Sequence, residues 1–467
     1  MASLLNINRQ RNASWQVIPA SELPPDLDPV ISDWLQRSAD SLVSLMEMHG
    51  SPLHIVWPHT VEANLKAMRE VTLRFAVESS FYYGVKVNKS QALLEAAVRA
   101  GAGADVSSPQ ELEDALRAGC AGSQLCATGP AKTRDFLHAL MFHRARIVID
   151  SAQELREILR LTKSGRANSH RVPILLRLRP DACRASRFGI PEAEMATLLA
   201  EVAACERLHL LGFHFHLSGY APDSRVRAFF EVVALLHYAR RLGLKPEVID
   251  IGGGIPVQYV ESGRYKRWFA AQGPGDYRTG LVPSSFYPYG GELGPAQWLT
   301  HFLSGRNDEG ETVASLLRKE GITLCLEPGR SLVDQSAISV FRVNRVTPTA
   351  DYASVIFVEG SSFSACETWF NSEFLVDPLH VRCAVSAEPP TPGKAWIAGH
   401  SCLDEDVLTN RLVCFQNLPQ PGDLLVFANT AGYQMDLLEN RFHRHPFPAR
   451  LTAAVRTGNK VIFSIDS

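Results

Sequence analysis

The sequence predicts an α/β protein of two domains, a (β/α)8 barrel and a second domain built from β-strands. Three observations support this fold class. The chain has 467 residues, which is too many for one small hydrophobic core. From about residue 80, short apolar runs alternate with amphipathic helical stretches. After about residue 335, short strands of alternating polar and apolar residues follow one another with few helices between them.

Eight apolar runs of strand length define the first domain. Amphipathic helical sequences such as SAQELREILRL separate most of them. Eight strand–helix units favour closure into a barrel over the main alternative, an open doubly wound sheet. The runs comprise residues 81–87, 103–107, 124–129, 145–150, 173–180, 210–219, 247–254 and 323–330.

The domain boundaries follow from these patterns. We expect the barrel domain to span residues 50–334, and the β domain to combine residues 1–49 with residues 335–467. Residues 262–295 interrupt the alternation between the seventh and eighth strands and are rich in Gly, Pro and Tyr. We therefore expect an irregular excursion there, of the kind from which active-site covers are often built.

Composition and charge narrow the classes of partner and compartment. The net charge is −2, from 47 basic and 49 acidic residues, so bulk charge favours neither a nucleic acid nor an anionic membrane. No apolar run is long enough to span a bilayer, and the N-terminal segment lacks the apolar core of a secretory signal. The chain has nine cysteines and no C-x-x-C pair, which disfavours both a disulfide framework and a thiolate zinc site. We therefore expect a cytoplasmic protein with reduced thiols.

The first predicted strand carries an unusual lysine. In FYYGVKVNKS, residues 81–90, Lys86 follows Gly84 on one strand face, and Ser90 is a plausible N-cap for the next helix. Lys86 is therefore expected near the C-terminal end of the strand, where barrel active sites gather. An amine at that place is a candidate for a Schiff base, and a salt-bridged structural lysine is the alternative.

The seventh strand leads directly into three glycines. The motif DIGGGIP places Gly252, Gly253 and Gly254 at the predicted strand end. Glycines allow backbone N–H groups to approach and cradle a phosphate. A tight turn without a ligand is the alternative.

The sixth and eighth strands also end in polar side chains. The motif GFHFHLSG places His214 and His216 on one strand face, and a packed core histidine is the favoured interpretation of His214. The motif LEPGRS places Glu327 and Arg330 three residues apart, for which a surface ion pair is the alternative. A lysine, a glycine cradle, an imidazole and a carboxylate together describe a site for pyridoxal phosphate.

In the order and spacing of its motifs, the chain resembles the fold-type III pyridoxal-phosphate decarboxylases, the group that holds diaminopimelate, ornithine and arginine decarboxylases. The resemblance covers roughly residues 50–440. It implies pyridoxal 5'-phosphate as cofactor, no metal, and a head-to-tail homodimer whose β domain contributes to shared active sites. The motifs are YGVKVN, GAGADVSSPQEL, SRFGI, GFHFHLSG, DIGGGIP, EPGR, SCLDED and AGYQM.

The resemblance implies a role for each matching residue. Lys86 would form the Schiff base, His216 would stack on the pyridine ring, and Glu327 would pair with the ring nitrogen. Cys402 would protonate the carbanion, and with Tyr433 it would reach into the partner's site; a small buried hydrophobe is the alternative for this cysteine. The remaining cofactor residues would be Asp105, Ser218, Gly252, Gly253, Gly254, Gly329 and Arg330, with Tyr433 assisting at the phosphate.

The acid at residue 327 bears on the type of reaction. A carboxylate keeps the pyridine nitrogen protonated, which makes the ring a strong electron sink and favours decarboxylation over racemisation. An amino-acid racemase or epimerase on the same cofactor is the alternative. A non-catalytic regulatory homologue is disfavoured by the presence of Lys86, Glu327 and Cys402. A metal-dependent barrel hydrolase is a further rival, suggested by the two histidines of the sixth strand.

The substrate is expected to differ from those of the best-known family members. Leu403 follows Cys402 where the family usually has an acid that reads the far end of the substrate. Asp404, Asp406 and Tyr433 are the candidate substrate-binding residues, and residues 367–381 contain no arginine for a distal carboxylate. We expect a diamino acid or a larger conjugated amino acid, such as one from a siderophore pathway, with L or D configuration left open.

Overall fold

The structure, a computed structural model, describes residues 14–163, 170–349, 353–365, 367–384, 391–436 and 443–466. The chain divides into two compact units. The β unit combines Met1–Thr60, Val257–Glu292 and Val333–Ser467, and the barrel unit combines Val61–Pro256 and Leu293–Leu332.

The described strands are numbered in chain order. Strands β1 to β19 are Trp15–Ile18, Leu53–Val56, Ser79–Gly84, Gly103–Val106, Leu125–Ala127, Arg146–Ile149, Val172–Arg179, Ile190–Pro191, Leu208–His214, Val248–Asp250, Thr323–Leu326, Ala337–Pro348, Ser354–Glu359, Leu379–Cys383, Gly393–Ala398, Val407–Phe415, Leu424–Ala428, Ala449–Arg456 and Lys460–Ile465.

The described helices are numbered in the same way. Helices α1 to α12 are Pro29–Arg37, Ala39–His49, Pro58–Arg74, Gln91–Arg99, Pro109–Arg117, Arg134–His143, Ala152–Lys163, Glu192–Ala203, Pro222–Arg241, Ser262–Ala271, Pro295–Ser304 and Val313–Glu320. None of them is both long and apolar enough to cross a membrane.

The barrel unit contains a closed parallel barrel. Its strands follow the order β6-β5-β4-β3-β11-β10-β9-β7, and the pairing of β6 with β7 closes the ring. Each of these eight strands overlaps one of the apolar runs, so the predicted (β/α)8 barrel is confirmed. Six of the strands contribute buried side chains to one cluster: Tyr82, Cys126, Val148, Leu175, Val248 and Cys325.

Lys86 lies outside the first barrel strand, contrary to the prediction of a strand over residues 81–87. The ladder between β3 and β4 ends at the pair Gly84–Asp105, and a 3-10 turn follows over Val85–Val87. The turn redirects the chain toward helix α4. The prediction failed because the alternating pattern continues through the turn, although the backbone pairing does not.

The helix that follows begins where the sequence predicted. The hydroxyl of Ser90 accepts the backbone N–H of Leu93 at 3.2 Å, so the predicted N-cap of α4 is confirmed. This cap ends the loop that carries Lys86.

The β unit is built on one mixed sheet of ten strands. Its main path is β1-β14-β17-β12-β13-β15-β16, while β2 pairs with β12 and β18, and β18 pairs with β19. Because β1 comes from residues 1–49, that segment joins the sheet. Strand β2 also belongs to the β unit, although the sequence placed it in the barrel domain. Helices α1 and α2 pack on it through a core that includes Ile31, Leu42, Val340 and Val426.

Residues 257–292 belong to the β unit, whereas the sequence placed them in the barrel domain. Helix α10 lies within them, so the segment is only partly irregular. The reason for the assignment is aromatic packing. Tyr259 stacks on Tyr289 with ring centroids 4.7 Å apart, and both belong to a buried cluster with Phe341 and Phe374.

Candidate active site

A cavity of about 360 Å³ opens at the C-terminal ends of the barrel strands. Every residue that lines it belongs to the barrel unit. Five of the residues that the sequence singled out line it: Lys86, His214, His216, Ser218 and Glu327. Strands that are far apart along the chain therefore bring these side chains to one place.

Lys86 projects into this cavity from the turn after β3. Its Nζ donates to Oδ2 of Asp105 at 2.6 Å, and its side chain is 46% exposed while that of Asp105 is fully buried. Thr128 donates its hydroxyl to the other carboxylate oxygen of Asp105 at 2.6 Å. Burial raises the pKa of Asp105, and the charge of Lys86 opposes that rise. Asp105 thus holds the amine at the cavity wall.

The three glycines after β10 lie where no side chain fits. A Cβ at Gly252 would be 2.5 Å from Nδ1 of His216, and one at Gly253 would be 2.7 Å from the carbonyl oxygen of Glu327. A Cβ at Gly254 would be 2.0 Å from Nη2 of Arg225. Gly254 also has a φ of 79°, which glycine tolerates best.

Two of these glycines use their N–H groups within the protein. Gly252 donates to Oδ1 of Asp250 at 2.8 Å, and Gly253 donates to Nδ1 of His216 at 3.1 Å. Among the described residues, Gly254 N–H has no hydrogen-bond partner. The sequence predicted that all three N–H groups would cradle a phosphate. In the described structure only the Gly254 N–H is available for one, and the other two N–H groups stabilise the loop.

His216 follows strand β9 and accepts the Gly253 N–H, so its Nδ1 is unprotonated and its Nε2 carries the hydrogen. The ring is exposed at the cavity, yet the surrounding protein and the charge of Lys86 lower the pKa of His216 well below its usual value. The ring is therefore neutral, and a neutral imidazole can stack on another aromatic ring.

A pair of buried acids closes the base of the site. Glu327 follows β11 and forms a hydrogen bond with Asp250, the last residue of β10. Their carboxylate oxygens and the Cys126 sulfur all lie within 4.8 Å of one another. Burial raises the pKa of Glu327 and raises that of Asp250 well above its usual value. Two such carboxyls cannot both ionise easily, so the pair retains a proton.

The comparisons with known proteins agree with this geometry. Residues 59–271 match the family model described as pyridoxal-dependent decarboxylase, pyridoxal binding domain. The uncharacterized protein y4yA of Sinorhizobium fredii is 50% identical over 428 residues, which cover 92% of this chain and 93% of that protein. Diaminopimelate decarboxylase of Archaeoglobus fulgidus is 26% identical over 409 residues, which cover 82% and 83% of the two chains.

The chain belongs to the fold-type III pyridoxal-phosphate-dependent decarboxylases. A solved structure agrees at the level of the fold. Diaminopimelate decarboxylase from Helicobacter pylori complexed with L-lysine has a TM-score of 0.69 at 16% identity, with 91% of this chain and 96% of that chain covered.

The cofactor of this decarboxylase family is pyridoxal 5'-phosphate, and the residues of the cavity fit it. Oε1 of Glu327 is buried and has no hydrogen-bond partner among the described residues, so it can accept a hydrogen from a ring nitrogen. Lys86 has the amine that would join the cofactor aldehyde. Gly254 does not itself line the cavity, but a Cβ there would lie 3.2 Å from the carbonyl oxygen of Gly219, next to the cavity-lining Ser218, and its N–H would be a backbone donor for the phosphate.

Arg330 and Gly329, the remaining selected residues of the barrel unit, do not line the cavity. Arg330 donates from Nη1 to the Tyr220 hydroxyl at 3.4 Å, and Gly329 lies in the turn beside it. The surface ion pair considered for Glu327 and Arg330 is wrong, because Glu327 is buried and points to Asp250 and His214.

His214 is more than a packed core histidine. It is 1% exposed, and its Nε2 lies 3.3 Å from Oε1 of Glu327. Burial lowers the pKa of His214 well below its usual value. In the described part of the chain, the group of side chains close enough to hold a metal ion is Cys126, Asp250 and Glu327, without either histidine. The geometry therefore speaks against the metal-hydrolase alternative.

Sequence reasoning missed several charged residues around the site. Asp250 lies inside DIGGGIP, where the glycines alone predict a binding role from sequence. Arg177 interrupts the apolar run of β7, donates to Asp150 at 2.8 Å and lies 4.9 Å from the Phe188 ring. Arg187, within SRFGI, lies 4.1 Å from the same ring. A charged residue inside an apolar strand was the signal that could have found Asp250 and Arg177.

The other selected residues lie in the β unit of the decarboxylase. Cys402 is exposed, and its backbone N–H donates to Nε2 of His443 at 2.9 Å. Asp404 is exposed on the same loop. Tyr433 has a φ of 79°, an unusual conformation for a non-glycine residue. Cys366 lies outside the described residues, and the described cysteines form no disulfide.

Asp406 is not free to bind a substrate, contrary to the prediction. Its buried carboxylate accepts the Ser361 hydroxyl at 2.9 Å, both the N–H and the hydroxyl of Ser362 at 2.7 and 2.6 Å, and the Ser401 N–H at 3.0 Å. Burial would raise the pKa of Asp406, but these hydrogen bonds lower it below its usual value. Asp406 therefore anchors the loop that carries Cys402.

Proposed function

We propose that this chain removes the α-carboxylate of an amino acid of the diamino or conjugated diamino class as CO2. The observation that carries the proposal is one cavity lined by both Lys86 and Glu327, whose buried Oε1 accepts no hydrogen bond from a described residue and lies 3.3 Å from Nε2 of His214. When bound, the cofactor supplies an electron sink for the carbanion that forms as CO2 leaves.

Each of the other site residues has its own role in the proposed reaction. Asp105 orients the Lys86 amine, and the neutral ring of His216 would lie against the cofactor ring. Oε1 of Glu327 would accept the hydrogen of the ring nitrogen, and a proton held by the acid pair would prevent two negative charges from meeting there. The thiol of Cys402 delivers a proton to the substrate Cα.

A residue of the cavity wall favours a substrate with an acidic distal group. The guanidinium of Arg187 lines the cavity and forms no ion pair with any described residue. Leu403 stands beside Cys402 instead of an acid, which disfavours a distal ammonium. A conjugate that carries a carboxylate at its far end meets both conditions, because an unpaired guanidinium recognises that group well.

Lys86→Ala tests the proposal directly. The purified parent protein should show the visible absorbance of the bound cofactor, and borohydride should attach the cofactor irreversibly to residue 86. Lys86→Ala should lose the absorbance, the attachment and CO2 release, because the amine is absent.

Lys89→Ala is the matched control, since Lys89 pairs with Glu111 and lies on the same loop. It should keep the label at residue 86. Covalent attachment in Lys86→Ala equal to that of the parent would refute the assignment. Screening amino acids with acidic distal groups for CO2 release then identifies the substrate, and racemisation without CO2 would favour the racemase alternative.

A further inference from the structure

Arg225 is a buried cation without an acidic partner. It lies in the first turn of α9 and is fully buried. No carboxylate lies within ion-pair distance of it among the described residues, and its Nε has no hydrogen-bond partner there. Burial lowers the pKa of Arg225 to about 10, so it stays charged at neutral pH. A buried charge of this kind is unfavourable unless something compensates it.

Backbone carbonyls provide part of that compensation. Nη2 of Arg225 donates to the carbonyl oxygens of Leu217 at 3.0 Å, Gly219 at 2.8 Å and Gly253 at 3.2 Å. The guanidinium also lies 5.5 Å from the Trp298 ring. These contacts satisfy hydrogen-bonding groups, but they bring no negative charge.

The same contacts join the loop that carries His216 and Ser218, which line the cavity, to the glycine loop after β10. Leu217 and Gly219 flank Ser218 after strand β9, and Gly253 belongs to the glycine loop after β10. Gly254 approaches so closely that a Cβ there would lie 2.0 Å from Nη2. The positive charge thus lies directly behind the backbone of Gly254, the glycine whose N–H is unpaired in the described structure.

We propose that Arg225 is the counter-charge of the cofactor phosphate and acts across the glycine backbone as a positioning residue. It holds both loops in place and lowers the electrostatic free energy of the phosphate without touching it. The consequence is selectivity: the site should prefer the phosphorylated cofactor over its dephosphorylated form because of Arg225. This inference rests on the proposed placement of the phosphate at Gly254.

The decisive measurement is equilibrium binding to the cofactor-free protein. Pyridoxal phosphate and pyridoxal are titrated separately by absorbance, and the ratio of the two dissociation constants is the readout. Arg225→Gln keeps hydrogen-bond donors but removes the charge, so the preference for pyridoxal phosphate should fall by about tenfold or more. Arg225→Lys keeps the charge and should lose at most about threefold. Pyridoxal affinity should change little in either variant.

Arg227→Gln is the matched control. Arg227 is exposed on the same helical turn, where it donates to the Ser224 hydroxyl, so this variant should keep the parental ratio. Equal losses for pyridoxal phosphate and pyridoxal in Arg225→Gln would mean a merely structural role and would overturn the inference. An unchanged ratio would overturn it as well. If Arg225→Gln does not fold, Arg225→Lys provides the test. A large loss of the preference for pyridoxal phosphate in this variant, which keeps the charge, would also overturn the inference.

Gly254→Ala separates this inference from the placement on which it rests. If both Gly254→Ala and Arg225→Gln keep the parental ratio, the phosphate does not bind at the glycine loop. If Gly254→Ala loses the preference and Arg225→Gln keeps it, the placement stands and the role of Arg225 is wrong. A second readout is thermal unfolding of the cofactor-free protein with inorganic phosphate, which should stabilise the parent more than Arg225→Gln.

Discussion

At the residue scale, the cofactor site contains charges that are compensated in three different ways. Lys86 has a direct ion pair with Asp105. Glu327 and Asp250 form a hydrogen bond, and burial raises the pKa of both carboxyls. Arg225 has carbonyl oxygens around it and, among the described residues, no carboxylate within ion-pair distance. Each arrangement suits a ligand that brings its own charges, since a pyridinium hydrogen would face Glu327 and a phosphate would face the glycine loop.

The acid pair makes the stability of the cofactor-free protein depend on pH. Because the pKa of Asp250 is raised on folding, the folded protein keeps a proton that the unfolded chain releases above the usual aspartate range. The free energy of unfolding should therefore fall as pH rises through that window, until the raised pKa is passed. Asp250→Asn removes this titration.

We expect the stability of Asp250→Asn relative to the parent to increase from pH 5 to pH 8, by up to about 1.4 kcal/mol for each pH unit. Urea unfolding of both proteins at several pH values measures it. Asp135→Asn, at an exposed site on α6, is the control and should show no such trend. A pH-independent difference for Asp250→Asn would show that the pair holds no extra proton.

At the element scale, loops after the strands carry the chemistry, while the strands set where the loops begin. Strand β3 ends at Gly84, β9 at His214 and β10 at Asp250. Lys86, His216 and Gly254 each follow one of these ends by two or more residues. Parallel strands place their C-terminal ends on one rim, which explains how separate loops form one cavity.

The loop of the β unit that carries Cys402 depends on Asp406. Asp406→Asn keeps one acceptor oxygen and replaces the other with an amide NH2 group. That NH2 group is a donor, and it would face groups that also donate, such as the Ser401 N–H. We expect a loss of about 1–3 kcal/mol in the free energy of unfolding, because a buried donor is left without a partner. Denaturant unfolding measures this loss.

The neighbouring acid provides the comparison. Asp404 is exposed on the same loop, so Asp404→Asn should change stability by no more than about 0.5 kcal/mol. Similar losses in the two variants would contradict the anchoring role of Asp406. Since the pKa of Asp406 is lowered on folding, its contribution should be present at neutral pH and lost as the pH falls through the acidic range.

At the scale of the whole molecule, the selected residues come from both units of the chain. Lys86 and Glu327 belong to the barrel unit, and Cys402 and Tyr433 belong to the β unit. The resemblance to the decarboxylases implies that Cys402 acts in the site of a partner subunit. We therefore propose a homodimer with shared sites.

Subunit mixing tests the shared site. Lys86→Ala and Cys402→Ala should each be inactive or strongly impaired alone. After denaturation and joint refolding in equal amounts, about a quarter of the parental activity should return, because half of the dimers are hybrids with one intact site of two. Two affinity tags, one on each variant, verify that hybrids form. Hybrids without activity would mean that Lys86 and Cys402 of one subunit serve the same site.

The strongest predictions from sequence were those that depend on local pattern. The apolar runs located every barrel strand, and Ser90 was identified as an N-cap because a hydroxyl before a helical stretch has a direct local use. The end of the first strand was placed too late, since side-chain alternation continued through the 3-10 turn at Val85–Val87. The prediction of Asp406 as a substrate ligand fails because its serine partners Ser361 and Ser362 lie far away in the sequence.

The sequence by itself determined the barrel, the second sheet, the order of the motifs and the family, because strand periodicity and glycine-rich turns are properties of neighbouring residues. Only the tertiary structure revealed that Asp250 pairs with Glu327, that Arg225 lies behind Gly254 and that residues 257–292 pack with the β unit. These facts depend on which charges and rings meet after the strands close. Burial then decides whether a charge is paired, shared or left for a ligand, and burial is a property of the folded chain.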